Sequence, residues 1–191
     1  MPSISFSAGV LAGGKAERMS GQDKGLLLYQ GKPMVLRVSF ALQGVVDEVC
    51  VNANRNLESY ANLGFRVIED DERCKGKGPL SGLFACLTFA QTSHLLVSPC
   101  DTPCVSSAAF EALMEAAKVD PAKIHYLQEG YAIHPLHAVL PVAETLSALS
   151  LFLENDNRRS VMAFYEAFGC SPVEWHNGTE LLNVNTPSQL A

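Results

Sequence analysis

One stretch of this chain gathers small residues and three cations: Leu11-Ala12-Gly13-Gly14-Lys15-Ala16-Glu17-Arg18-Met19-Ser20-Gly21-Gln22-Asp23-Lys24. Small side chains let a backbone approach a ligand closely, and exposed amides in such a loop form an anion-binding nest. Lys15, Arg18 and Lys24 add the charge that phosphates attract, with Glu17 and Asp23 partly offsetting it. The loop matches neither GxxxxGK followed by Ser or Thr nor GxGxxG, which sets aside the P-loop and the dinucleotide fingerprint. A second constellation, Pro99-Cys100-Asp101-Thr102-Pro103, follows the apolar run Leu95-Leu96-Val97-Ser98. A carboxylate at the carboxyl end of a central strand faces the ligand crevice of an open α/β sheet. Beside a polyphosphate, Asp101 would hold Mg²⁺, with phosphate oxygens supplying other ligands; the alternative is an aspartate capping the next turn. Cys100 and Cys104 form a lone CxxxC pair with no second ligand pair nearby, which argues against zinc.

Two more strand ends carry polar groups. Asn52 follows Glu48–Val51, and its amide can donate and accept. Asp70 follows Arg66–Ile68 and is placed to accept from a ribose or a purine edge, whereas Asp71 and Glu72 read as solvated charge. Gly13, Asn52, Asp70 and Asp101 together make a pocket rim. Arg158-Arg159 open an apolar helix, where cations are disfavoured unless an anion offsets the dipole, so a second phosphate could sit there. Asn183 and Asn185, two apart, share a face if their segment is a strand; turn and cap chemistry is the alternative. His134 and His137 are three apart, which puts them on opposite faces of a strand and reads as loop or core histidines.

The elements that must position these residues alternate along the chain. Strands are expected at Ile4–Leu11, Glu48–Val51, Arg66–Ile68, His94–Ser98, Ile124–Gln128, Leu136–Leu140 and Pro172–Trp175. Helical spacing of apolar residues marks four intervening helices: Met34, Val38, Ala41, Leu42 and Val45, with Pro33 as first helical residue; Leu80, Leu83, Phe84 and Leu87; Phe110, Leu113, Met114 and Ala117; Val142, Leu146, Leu149 and Leu153. Thr186-Pro187 starts a last short helix ending at Ala191. This order implies a single Rossmann-like α/β domain over residues 1–191, with a mostly parallel, doubly wound sheet and helices on both faces. The less regular final third allows a mixed sheet there. A net charge of −6 argues against nucleic-acid binding. No signal peptide or membrane-length apolar run is visible, and six irregularly spaced cysteines in a chain of 191 residues suit a reducing cytoplasm.

With these pieces assembled, the chain resembles the molybdenum cofactor guanylyltransferases, the MobA family of nucleotidyltransferases. The likeness spans nearly the whole chain. It rests on Leu11-Ala12-Gly13-Gly14 through Arg18-Met19 to Asp23-Lys24, Val51-Asn52-Ala53-Asn54-Arg55, Val67-Ile68-Glu69-Asp70, Gly78-Pro79-Leu80-Ser81-Gly82, Pro99-Cys100-Asp101-Thr102-Pro103 and Asn183-Val184-Asn185-Thr186-Pro187. Ser20 departs from the glycine usual after Arg-Met, and Cys74-Lys75-Gly76-Lys77 is longer and more basic than usual.

The resemblance implies GMP transfer from GTP to molybdenum-molybdopterin, giving the guanine dinucleotide cofactor and pyrophosphate. By motif, Leu11, Ala12, Gly13, Gly14, Lys24, Asn52, Asp70 and Asp101 are expected to bind GTP, with Mg²⁺ on Asp101. Lys24, Asp101 and Arg18 are expected to carry the chemistry, Arg18 at the leaving pyrophosphate. The N-terminal part would bind GTP and the C-terminal part the acceptor, through Arg158, Arg159, Asn183 and Asn185. Other cofactor-biosynthesis proteins and apo-molybdoenzymes are the implied protein partners, with no membrane or nucleic acid involved. The acceptor's own phosphate is the nucleophile, so alignment and charge neutralisation suffice. A CTP-dependent relative, another phosphorylated acceptor, or a non-catalytic nucleotide-binding scaffold are the rival readings.

Overall fold

A computed structural model of the chain describes residues 3–14, 21–155 and 159–190. Strand β1 (Phe6–Leu11) is followed by a hairpin of β2 (Leu28–Tyr29) and β3 (Lys32–Pro33), then α1 (Met34–Gln43), β4 (Val49–Asn52), α2 (Leu57–Asn62) and β5 (Arg66–Ile68). Next come α3 (Pro79–Phe89), β6 (His94–Pro99), α4 (Ser107–Val119), β7 (Ile124–Glu129), β8 (Ala132–Pro141), α5 (Val142–Asn155), α6 (Val161–Phe168) and β9 (Cys170–Glu174). Seven strands form one sheet in the order β5-β4-β1-β6-β8-β7-β9. Pairings are parallel except the two made by β8, which runs against β6 and β7. The expected mostly parallel α/β fold is present, with its mixed portion in the C-terminal half.

Period-two alternation along the strands builds two cores. Ala8, Val10, Val51 and Leu96 face a layer containing Val38 and Leu42 of α1 and Phe110 and Leu113 of α4. Cys50, Leu95, Val97 and Leu140 face the other layer, with Leu83 and Leu87 of α3, Leu149 of α5 and Phe164 of α6. At Gly9 a Cβ would lie 2.8 Å from Cys86 Sγ, so α3 packs directly against the β1 backbone. The chain steps outward from β1 to β4 and β5, then returns to place β6 on the other side of β1. That reversal opens a crevice at the carboxyl ends of these strands, where Gly13, Asn52, Asp70 and Asp101 emerge.

Several local expectations are corrected. Pro33 is extended (ψ 135°) and ends β3 rather than starting α1. The hairpin was not anticipated, although Gln30 and Gly31 at φ 48° and 80° form its turn; nor was α2, only six residues long. The helix after the arginines starts at Val161, with Ser160 Oγ capping Ala163 N, so Arg159 precedes it. Asn183 to Asn185 is not a strand, and the last helix is a short 3-10 turn, Pro187–Leu190. A register shift between Tyr126 and Leu127, opposite β8, brings His134 and His137 together with ring centroids 6.1 Å apart, not on opposite faces.

Candidate active site

The loop after β1 and the turn after β6 meet through charge. Lys24 Nζ lies 3.1 Å from Asp101 Oδ2 and donates to Asn185 Oδ1 at 2.8 Å. Both members of the ion pair are largely shielded, with side chains 23% and 13% exposed. The C-terminal segment is tied to the same place through its backbone, since Val184 N donates to Asp101 O at 2.8 Å. Asn185, expected on the acceptor side, therefore contacts the lysine itself. Arg18, expected to work beside them, lies outside the described residues, as does Lys15.

The other two strand ends are also joined. Asn52 Nδ2 donates to Asp70 Oδ1 at 2.8 Å and Asn54 Nδ2 to Asp70 Oδ2 at 2.9 Å, while Asp70 N donates back to Asn54 Oδ1 at 2.9 Å. Each carboxylate oxygen thus already accepts an amide, and its further lone pairs are what a ligand could use. Beyond the cluster, Asp71 pairs with Arg73 at 2.7 Å, a hydrogen-bonded contact that lowers the Asp71 carboxyl to about 2.

A cleft of about 920 Å³ opens over these groups, lined by Leu11, Gly13, Asn52, Asp70, Gly82 and Pro99 among others. Gly14 also lines it, whereas Ala12 is buried with its N–H on Asn52 O at 2.8 Å. The glycines are steric requirements here. A Cβ at Gly82 would sit 2.5 Å from Asn52 Oδ1, and one at Gly13 would sit 2.8 Å from Asn54 Nδ2.

Behind Asp101, buried Thr102 places Oγ1 3.0 Å from His137 Nε2. Burial first, then the neighbouring His134, pushes His137 down to about 3. The folded protein therefore keeps this ring neutral while the unfolded chain protonates it below its ordinary value of about 6.5. Stability contributed by the neutral ring is present above about pH 6.5 and is lost as pH falls toward about 3. Lowering the pH from about 7.5 to about 5 is expected to cost about 2 kcal/mol through this group alone. Thermal melts of wild type and His137→Gln across that range check this: the variant should show a flatter dependence, and parallel curves would reject the assignment.

Arg159 Nη1 donates to Gly76 O at 3.1 Å on the cleft rim, and Asn183 is exposed at the chain's C-terminal side. Arg158 lies outside the described residues. Cys100 is buried while Cys104 is exposed against Tyr29, and no group of three or more metal-ligating side chains occurs among the described residues. Asp101 offers a carboxylate of the kind that Mg²⁺ takes together with phosphate oxygens.

Sequence reading missed the part played by Asn54, quoted only within a motif, and the buried Asp23, seen only as an offsetting charge. An Asn-rich turn after a strand, facing an acidic strand end, was the available signal for Asn54.

A family profile described as MobA-like NTP transferase domain matches residues 8–168. Molybdenum cofactor guanylyltransferase of Pseudomonas aeruginosa is 36% identical over 183 residues, covering 95% of this chain and 91% of that protein. The protein of the same name from Pasteurella multocida is 33% identical over 189 residues, covering 96% and 99%. In fold, molybdopterin-guanine dinucleotide biosynthesis protein A from Archaeoglobus fulgidus superposes with a TM-score of 0.75 at 21% identity, covering 96% of this chain and 94% of that one.

Proposed function

The chain belongs to the MobA-like NTP transferase family, and from that premise we propose that it transfers GMP from GTP to molybdenum-molybdopterin, releasing pyrophosphate. The observation that carries this reading is the meeting of Lys24, Asp101 and Asn185 beside a cleft at the sheet's reversal point. A terminal phosphate oxygen of the acceptor attacks the α-phosphorus of GTP, the bond to the β-phosphate breaks, and pyrophosphate leaves. Lys24 neutralises charge building around the α-phosphate, and Arg18 steadies the leaving group. Mg²⁺ bound at Asp101 supplies charge neutralisation on the triphosphate. Leu11, Gly13, Gly14, Asn52 and Asp70, which line the cleft, would hold the nucleotide, and Arg158, Arg159, Asn183 and Asn185 the acceptor. The six free thiols accord with a reducing cytoplasm.

Incubation with GTP, Mg²⁺ and molybdenum-loaded molybdopterin tests the proposal. The guanine dinucleotide and pyrophosphate should form together, with CTP much poorer. Equal use of CTP would remove the choice of guanine, and tight GTP binding without turnover would favour a scaffold.

Gly82→Ala follows from the same geometry. Its Cβ must displace Asn52, which orients Asp70, and small misplacements in such sites are costly. GTP is expected to bind about tenfold more weakly by calorimetry; unchanged affinity would show that Asn52 does not shape the nucleotide site.

A further inference from the structure

Within Asn52-Ala53-Asn54-Arg55, the proposed mechanism employs the asparagines and leaves Arg55 unassigned. Arg55 lies between β4 and α2 and its side chain is 39% exposed at the cleft, where a cation would ordinarily be taken for a phosphate ligand. Each of its three nitrogens already faces a partner in the loop after β1. Nη1 donates to Gly21 O at 3.1 Å and Nη2 to Gln22 O at 3.4 Å, while Nε lies 3.9 Å from Asp23 Oδ2.

The next residue continues the grip. Asn56, in the left-handed region at φ 52°, donates Nδ2 to Asp23 Oδ2 at 3.1 Å. One helical turn on, buried Tyr60 donates its hydroxyl to Asp23 Oδ1 at 2.5 Å, and Gly25 N reaches the same oxygen at 3.2 Å. The Asp23 carboxylate is buried and held by these donors, and Gly25 leaves no room for a Cβ against the Tyr60 hydroxyl. Lys24 is the residue between these anchored neighbours. On the other side, Asn54 touches Gly13, reaching its carbonyl at 3.5 Å. Three consecutive residues thus hold Gly13 and the segment 21–23. A planar guanidinium spans two adjacent carbonyls with two nitrogens in a fixed fork, a geometry that a single ammonium nitrogen does not hold.

We infer that Arg55 is a positioning residue for nucleotidyl transfer, acting through Gly21, Gln22 and Asp23 to aim Lys24 rather than touching the nucleotide. The inference rests on the reaction proposed above. Arg55→Ala should lower kcat for pyrophosphate release about tenfold, with the GTP dissociation constant changed less than about threefold. In a Lys24→Ala background the same change should cost less than about twofold more, because the group being aimed is gone. Equal losses in both backgrounds, or a GTP affinity loss of about tenfold in the Lys24→Ala background, would identify a direct phosphate ligand and overturn the inference. Arg55→Lys should remain near Arg55→Ala; full recovery would show that charge alone matters.

A second readout needs no turnover. In ligand-free protein, acetylation of Lys24 by an N-hydroxysuccinimide ester, followed by peptide mass spectrometry, should become several times faster in Arg55→Ala. An unchanged rate would overturn the inference even if GTP proves not to be the substrate, whereas a faster rate with no turnover in wild type would fault only the reaction. Should Arg55→Ala fail to fold, Tyr60→Phe removes one donor to Asp23 and must move Lys24 acetylation in the same direction.

Discussion

Asp101→Ala is expected to lower pyrophosphate release from GTP by about 10³-fold while leaving the fold intact, because electrostatic groups aimed at developing charge are among the largest contributors to such reactions. Among the described residues, the Asp101 carboxylate is the acidic group placed on Lys24, and it stands two residues beyond the cleft-lining Pro99. Its removal takes away the counter-charge for Lys24 and, in the proposed reaction, the anchor for Mg²⁺. The fold should survive, since the local backbone is held separately by Val184 N on Asp101 O and Cys100 N on Leu11 O. Asp101→Asn separates charge from shape: it can still accept from Lys24 but has no charge to offer a cation, so it should be nearly as inactive. Mg²⁺ titration calorimetry with a slowly reacting GTP analogue should show the metal's effect on nucleotide binding lost in both variants. Release within about fivefold of wild type would rule out the role given to Asp101, given the size of the effect expected.

Lys24→Ala is expected to cost about 10²-fold in kcat, more than Lys15→Ala. Lys24 Nζ is within reach of both Asp101 and Asn185, so it sits between the strand end after β6 and the C-terminal segment. Lys24→Arg should not restore the rate, since a guanidinium spreads its charge over a wider fork than an ammonium held at 3.1 Å from one carboxylate oxygen. Losses from Lys24→Ala and Asp101→Ala should not add, as the proposed reaction has both groups act on one triphosphate. Equal rate losses for Lys15→Ala and Lys24→Ala in steady-state assays would place the key cation elsewhere in the loop.

Much of the fold was legible because it is written in local pattern. Apolar runs at Ile4–Leu11 and His94–Ser98 reported strands that the fold buries as Phe6–Leu11 and His94–Pro99, and helical spacing from Leu80 to Leu87 reported α3. What hid was short or irregular. Two-residue strands and a six-residue helix carry too few residues for periodicity to show. The histidine pair was misplaced because strict alternation fails at the shift in β8's register with β7, for which Pro135, lacking a ladder N–H, was the local signal.

By itself the sequence determined which groups stand at the strand ends: Gly13, Asn52, Asp70 and Asp101 each follow an apolar run, and a strand's direction carries its next residue into the crevice. Tertiary structure decided how those groups are paired. Asn185 meets Lys24 across 161 residues, Tyr60 meets Asp23 across 37, and Thr102 meets His137 across 35. Such partners are chosen by strand order and by β8 running against its neighbours, which set distances that residue types and spacing along the chain do not encode.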